Sequence, residues 1–167
     1  INAGAWLILW GLYKKVAIAD NLAAVVDAVY RPGADATSGV LILATYAFAW
    51  QIYCAFSGYT DIARGTARMM GFDLMQNFRR PYSALSITDF WRRWHITLST
   101  WFRDYVYIPL GGTRGSRAKV VRNTFVVFLV SGLWHGASWT FVAWGFFNAL
   151  LVLPLLLVKK NRAHLDT

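Results

Sequence analysis

Charged side chains are scarce in this chain, and one long stretch has none at all. Only 15% of the 167 residues are charged, and all eight acidic residues are aspartate. No Asp, Glu, Lys or Arg occurs between Asn123 and Val158. A water-soluble domain of this length needs more charge to cover its surface, so the composition argues against one.

Cysteine is almost absent, since Cys54 is the only one. A single cysteine excludes an intrachain disulfide, a Cys-x-x-Cys motif and a cysteine zinc cluster. Cys54 lies in a charge-free stretch without a neighbouring base. We therefore interpret it as an inert packing residue and not as an acyl-enzyme nucleophile. The histidines form no ligand pair at helical spacing, so we predict no metal site.

Apolar residues are abundant in the chain, and basic residues outnumber acidic ones. Hydrophobic residues form 57% of the chain, and nine residues are tryptophan, which favours membrane–water interfaces. The net charge of +9 suits either nucleic acid or an anionic membrane surface. The long apolar runs favour the membrane, and we predict no nucleic-acid partner. The fold class we predict is all-α integral membrane: a multi-pass helical bundle with interfacial amphipathic or re-entrant helices.

The chain is predicted to be one partial domain, residues 1–167, with membrane spans near 1–13, 38–58, 123–134 and 137–158. Residues 61–122 carry eleven of the 17 basic residues against four aspartates, so the positive-inside rule predicts a cytoplasmic or interfacial region. Residues 123–158 would be about 54 Å long as one helix, against ~30 Å of hydrocarbon. They form either two helices broken near Gly132–Gly136 or one long tilted helix. The first residue is not Met, and we expect a longer parent protein.

His135 is the only ionisable side chain of that last run. An ionisable group at membrane depth is costly and marks a functional site by default. Gly132 and Gly136 flank it and allow a second group to approach the imidazole closely. A helix break here would place irregular backbone at membrane depth, which is tolerated only inside protein or beside a water-filled cavity.

A second histidine, His95, lies in the segment Asp89–Tyr107. Large apolar residues alternate spacings of three and four there, which predicts one amphipathic interfacial helix, capped by Thr88 or Asp89. His95 is either a packed interfacial residue or part of a site. The arginines of this helix either form a solvated face or bind a donor phosphate or a lipid headgroup. They are Arg92, Arg93 and Arg103.

Four motifs resemble those of the membrane-bound O-acyltransferase (MBOAT) family. They are GLYKKVAIADNLA at 11–23, QIYCAFSGYTDIARG at 51–65, NFRRPYSALSITDFWRRWHITLSTWFRDYVYIPLGG at 77–112 and SGLWHGASWTFVAWG at 131–145. A single apolar motif is weak, but the ordered set WRRWH, RDYVYIPLGG and GLWHGASWT is highly specific. The resemblance covers nearly the whole chain. One departure is Ala55, where the family usually has an acidic residue.

The resemblance implies a fragment of a multi-pass bundle with a tunnel, located in the bacterial inner membrane. It implies that His135, in the W-H-G motif, is catalytic and that His95 supports it in the same tunnel. The implied activity transfers an acyl group, expected to be acetyl, to hydroxyls of an extracellular polysaccharide such as alginate. The donor would be acetyl-CoA or an acylated carrier, with no permanently bound cofactor. Membrane lipid and separate periplasmic or extracellular acetylation proteins are the implied partners.

Several alternatives stay open at this point. His135 suits a general base because its unperturbed pKa is near 6.5. The oxyanion would be stabilised by His95, by Trp indole N–H groups or by backbone amides. Ser131 and Ser138 allow a Ser/His/Asp triad on composition, although small packing residues explain them better. Two readings compete with the enzyme: a transporter or channel in which His135 relays protons, and an inactive family member, which Ala55 would suit.

Overall fold

The computed structural model describes residues 2–158 of the chain. Those residues form helices joined by turns and loops, without a strand, so the all-α prediction is confirmed for them. The chain divides into two compact units, Ile1–Asn77 and Phe78–Thr167. Each unit has its own helix pairing, and the residues of interest for chemistry lie in the second.

In the first unit, residues 2–77 form three α-helices and one π-helical segment. They are α1 (Asn2–Leu12), the π-helix Tyr13–Ala19, α2 (Asp20–Tyr30) and α3 (Ser38–Met69). Helical backbone angles continue from α1 through the π-helix into α2. The helix ends where Arg31-Pro32-Gly33 follows, with Gly33 at a φ of 80°. Proline cannot continue the hydrogen-bond ladder, and glycine takes positive φ without strain.

Helices α1 and α3 pack with their backbones in contact through glycines. A Cβ built on Gly11 would lie 2.5 Å from the carbonyl oxygen of Gly58, and one built on Gly65 would lie 2.5 Å from that of Gly4. The two pairs are seven residues apart on each helix and run in opposite directions, so the helices are antiparallel. Close approach through small residues is typical of helix packing in membranes.

The described part of the second unit, up to residue 158, contains four α-helices. They are α4 (Ile87–Arg93), α5 (Ile96–Phe102), α6 (Arg117–His135) and α7 (Trp139–Leu157). A 3₁₀ turn, Pro81–Ser83, precedes α4, and a π-helical segment, Arg103–Tyr107, follows α5. Helices α6 and α7 also pack backbone to backbone, since a Cβ on Gly132 would lie 2.3 Å from the carbonyl oxygen of Phe141.

The prediction of one continuous helix over Asp89–Tyr107 is wrong. Helix α4 ends at Arg93, and His95 has left-handed backbone angles, φ 44° and ψ 56°. A residue at positive φ cannot belong to a right-handed helix, so a new helix begins at Ile96. The predicted cap is also wrong, because the Ser86 hydroxyl accepts the hydrogen bond from the Asp89 backbone N–H at 3.1 Å.

The charge-free run near the end of the chain is two helices and not one tilted helix. Helix α6 ends at His135, Gly136 is extended, and α7 begins at Trp139. Of the described helices, α3 and α7 are long and apolar enough to cross a membrane, judged by length and composition alone. The spans near residues 1–13 and 123–134 stay predictions.

Candidate active site

His135 is the last residue of α6 and stands directly before the break at Gly136. Its Nδ1 lies 2.7 Å from the backbone carbonyl oxygen of Ser131, one helical turn earlier. A carbonyl oxygen only accepts hydrogen bonds, so in the neutral ring Nδ1 carries the hydrogen. The lone pair is therefore on Nε2, and the helix itself holds the imidazole in a tautomer that can accept a proton there.

Aromatic rings surround the His135 imidazole. Its centroid lies 5.0 Å from that of Trp134, 5.0 Å from that of Trp144 and 6.2 Å from the stacked ring of Phe141. The side chain is exposed in the described structure, and its surroundings are aromatic and not fully enclosed.

His95 lies at the junction between α4 and α5, where its left-handed backbone angles turn the chain. It is half-buried, and its ring centroid is 6.2 Å from that of Trp134. Burial lowers the pKa of His95 below the ordinary value, and the charge of His135 lowers this pKa further. His95 is therefore neutral at pH 7, able to donate one hydrogen bond and accept another.

The two histidines share one cavity of about 130 Å³, although they are 40 residues apart in the chain. Its walls come from α4, α5 and the junction between them on one side and from α6 on the other. The lining residues are Trp91, Trp94, His95, Leu98, Ser99, Phe102, Val127, Phe128, Ser131 and His135. The walls are mainly apolar, which suits a small acyl group, and the two imidazoles are the titratable groups among them.

The predicted anion-binding arginines do not line this cavity. Arg93 pairs with Asp89 at 2.9 Å, and Arg103 pairs with Asp104 through two nitrogens at 2.7 and 3.2 Å. Hydrogen bonds from these arginines lower the pKa of both aspartates. Arg92 is exposed. Arg103 lies instead at a second cavity of about 390 Å³, so anion binding by these residues stays a prediction.

The serine alternatives have other partners in the structure. Ser131 meets His135 through its carbonyl oxygen, and the Ser138 hydroxyl accepts from the Thr140 backbone N–H at 3.3 Å, which caps α7. Ser131 also lines the cavity, and the interpretation of both serines as packing residues stays a prediction. Across residues 2–158, no group of three or more His, Cys, Asp or Glu side chains is arranged to hold a metal ion.

Sequence reasoning missed two residues near the site. Asn123 is fully buried, and its Nδ2 donates to the carbonyl oxygens of Leu110 at 3.1 Å and Gly112 at 3.2 Å. These hydrogen bonds connect the loop after the π-helical segment Arg103–Tyr107 to α6, the helix that ends at His135. Trp91 has a buried indole nitrogen at the cavity wall. The sequence signal for Asn123 is its place as the first residue after a basic cluster, and nothing separates Trp91 from the other tryptophans.

The model of the family described as "MBOAT, membrane-bound O-acyltransferase family" matches residues 1–167. The chain belongs to this family. It is 50% identical over 142 residues to the probable alginate O-acetylase AlgI of Azotobacter vinelandii, which covers 85% of this chain and 28% of that protein.

Other relatives carry different names. The chain is 43% identical over 150 residues to the peptidoglycan O-acetyltransferase of Helicobacter pylori, covering 90% of this chain and 28% of that protein. It is 29% identical over 179 residues to the teichoic acid D-alanyltransferase of Streptococcus thermophilus, covering 99% and 43%. The chain thus spans less than a third of the length of the two O-acetyl-transferring relatives.

Proposed function

We propose that the protein containing this chain is a membrane O-acyltransferase. It moves an acyl group, in our proposal acetyl, from a thioester donor to hydroxyls of an extracellular polysaccharide, with alginate as the first candidate. The family and the named relatives support acyl transfer to a polymer. The observation that carries the proposal is the placement of His135, with its lone pair on Nε2, at one cavity with His95.

The reaction needs a base for the hydroxyl proton. In the proposed step the acceptor oxygen attacks the thioester carbonyl carbon while Nε2 of His135 takes the hydroxyl proton. A C–O bond forms, and the carbonyl π electrons move onto oxygen. Collapse of this intermediate breaks the C–S bond, and the leaving thiolate takes the proton back from the imidazolium.

His95 has a supporting place in this proposal. A neutral imidazole beside the reacting centre can hydrogen-bond the acceptor hydroxyl or the acyl oxygen without adding a positive charge. The lowered pKa of His95 keeps it in that state at neutral pH. The donor is acetyl-CoA or an acylated carrier, and Arg92, Arg93 and Arg103 are proposed to meet its phosphate groups or a lipid headgroup. No permanently bound cofactor is invoked.

The proposed location is the bacterial inner membrane, crossed several times. An intramembrane enzyme that modifies an extracellular polymer needs its donor on the cytoplasmic side and its acceptor on the other. We propose that membrane lipid and separate periplasmic or extracellular acetylation proteins are its partners. Mass spectrometry of the secreted polymer, with and without the gene, would identify the acceptor.

The test is His135→Ala in the full-length protein, measured as acetyl groups on the secreted polymer. Loss of a general base lowers the rate by about 10²–10⁴-fold, so acetylation should fall to background. His164→Ala is the matched control, because His164 lies in the polar tail outside the described residues, and acetylation should persist. Wild-type acetylation in His135→Ala would contradict the proposal, and loss of proton flux together with retained acetylation would favour a proton relay.

A further inference from the structure

Trp91 has a hydrogen-bond donor without an acceptor. Its Nε1 is buried and has no hydrogen-bond partner among residues 2–158. Buried polar groups are nearly always paired in native proteins, and a donor left unpaired costs free energy. Trp91 lines the cavity that His95 and His135 share. The unpaired N–H group therefore belongs to a residue of the candidate active site.

Three aromatic neighbours hold the Trp91 indole in place. Its ring packs edge-on against Phe90 at 5.3 Å, Phe128 at 5.6 Å and Trp144 at 5.7 Å between centroids. Phe128 is on α6 and also lines the cavity, and Trp144 is on α7, 5.0 Å from the His135 ring. Packing thus fixes the position of the indole without providing a hydrogen-bond acceptor for its N–H group. This arrangement is expected of a preorganised donor.

We propose that Trp91 donates its indole N–H to the acyl carbonyl oxygen of the thioester donor and to the oxyanion formed from it. The proposal rests on the proposed function and assigns one of the donors that the sequence left open. When the acceptor oxygen attacks and His135 takes its proton, the C=O π electrons move to the oxygen that Trp91 contacts. When the C–S bond breaks, they return to re-form the carbonyl, and the thiolate takes the proton from His135.

An indole suits this role beside His135 better than a charged donor would. Trp has an N–H donor and no acceptor, and it carries no charge. A cationic side chain at this position would disfavour the imidazolium that His135 must form, because like charges oppose each other strongly in an apolar cavity. A neutral donor stabilises the oxyanion without placing a positive charge beside His135.

The test is Trp91→Phe in the full-length protein, which keeps an aromatic ring and removes the N–H. Removing one oxyanion donor lowers kcat by about 10²–10³-fold, and we expect this with KM nearly unchanged because the contact strengthens in the transition state. Thermal stability should not fall through loss of the N–H, since that group has no protein partner. Trp101→Phe on α5 is the control, since Trp101 is exposed and outside the cavity, and it should retain activity.

The outcomes separate this inference from the proposed function. A folded Trp91→Phe enzyme with kcat within about threefold of wild type would overturn the role of Trp91. Absence of acyl transfer in the wild type, unchanged by His135→Ala, would overturn the function itself. If Trp91→Phe fails to accumulate, β-(3-benzothienyl)alanine placed at position 91 keeps the ring shape and replaces N–H by sulfur, and the same loss of kcat is expected.

Discussion

The Nδ1 atom of His135 lies 2.7 Å from the carbonyl oxygen of Ser131, one turn back on the same helix. The partner is a backbone atom, so no side-chain carboxylate is needed to orient the imidazole. The contact exists because α6 extends as far as His135 and ends there. The glycine that follows lets the chain turn away, and the imidazole is thus held at the end of a helix and not on a loop.

The pH dependence of stability should report the surroundings of His95. The unfolded-state pKa is near 6.5, and burial lowers the folded-state pKa. Between these two values the unfolded state binds more protons, so stability rises with pH there. The stability that the folded protein gains by keeping His95 neutral is fully present above about pH 6.5. It is lost as the pH falls toward the folded-state pKa.

The measurement is the thermal unfolding midpoint of the full-length protein in detergent, followed from about pH 7.5 down to about pH 5.5. His95→Gln should reduce the drop in Tm on acidification, because it removes the group that must take up a proton on unfolding. His164→Gln should leave the drop unchanged. An equal drop in wild type and His95→Gln would show that His95 does not contribute.

The contact between α6 and α7 should not accept a side chain at Gly132. A methyl group there would lie 2.3 Å from the carbonyl oxygen of Phe141, which is backbone and cannot swing aside. Overpacking of this kind typically costs about 1–3 kcal/mol, so Gly132→Ala should lower Tm and also displace His135, three residues on. Gly39→Ala is the control, since nothing lies within 4 Å of its added methyl. Equal Tm values for the two variants would contradict the close packing.

Two features of this structure were accessible from the sequence, because one depends on the length of an apolar run and the other on the spacing of two charged residues. A charge-free run of 36 residues is longer than one upright bilayer crossing, so the sequence left two interpretations, a break near Gly132–Gly136 or one tilted helix, and the structure has the break. The ion pair of Arg93 with Asp89 has the four-residue spacing of helix partners and could also have been anticipated. The turn at His95 could not, because positive φ at a non-glycine residue depends on tertiary packing and leaves no compositional signal.

The roles of individual side chains at the site also depend on tertiary packing, so the sequence alone does not assign them. Nine tryptophans look alike in the sequence, and only the packing of α6 and α7 against α4 makes the indole nitrogen of Trp91 buried and unpaired. The pairing of His95 with His135 at one cavity was implied by the family resemblance, since 40 residues of separation indicate no contact by themselves.

In the first unit, the buried ion pair Lys14–Asp61 should contribute more to stability than the exposed pair Lys15–Asp20. Lys14 is 7% exposed, and its Nζ lies 2.6 Å from Oδ2 of Asp61 and 3.1 Å from Oγ of Ser57. Removing Asp61 leaves the buried Lys14 ammonium with the Ser57 hydroxyl but without an opposite charge, and breaking a buried ion pair in this way costs about 3–5 kcal/mol. Asp61→Asn should therefore lower the free energy of unfolding in mixed micelles by about that amount.

The matched control for that variant is Asp20→Asn. Asp20 pairs with Lys15, one residue along the π-helix from Lys14, and both side chains are about half exposed. Exposed ion pairs contribute about 0–1 kcal/mol, so this variant should be nearly neutral. Lys14→Met combined with Asp61→Leu should recover part of the loss, because the double change leaves no unpaired charge. An unchanged free energy of unfolding in Asp61→Asn would contradict the burial of the pair.

The proposed binding of the donor by Arg103 can be separated from a structural role of this arginine, because its ion pair with Asp104 is largely solvent-exposed. Such an exposed pair contributes little to stability, so Arg103→Ala should leave Tm nearly unchanged. A charge-assisted hydrogen bond to a phosphate is worth about 1.5–3 kcal/mol, so KM for the donor should rise about 10–100-fold with kcat retained. Arg31→Ala, in the turn after α2, controls for loss of positive charge. An unchanged KM in Arg103→Ala would assign this arginine to the solvated face.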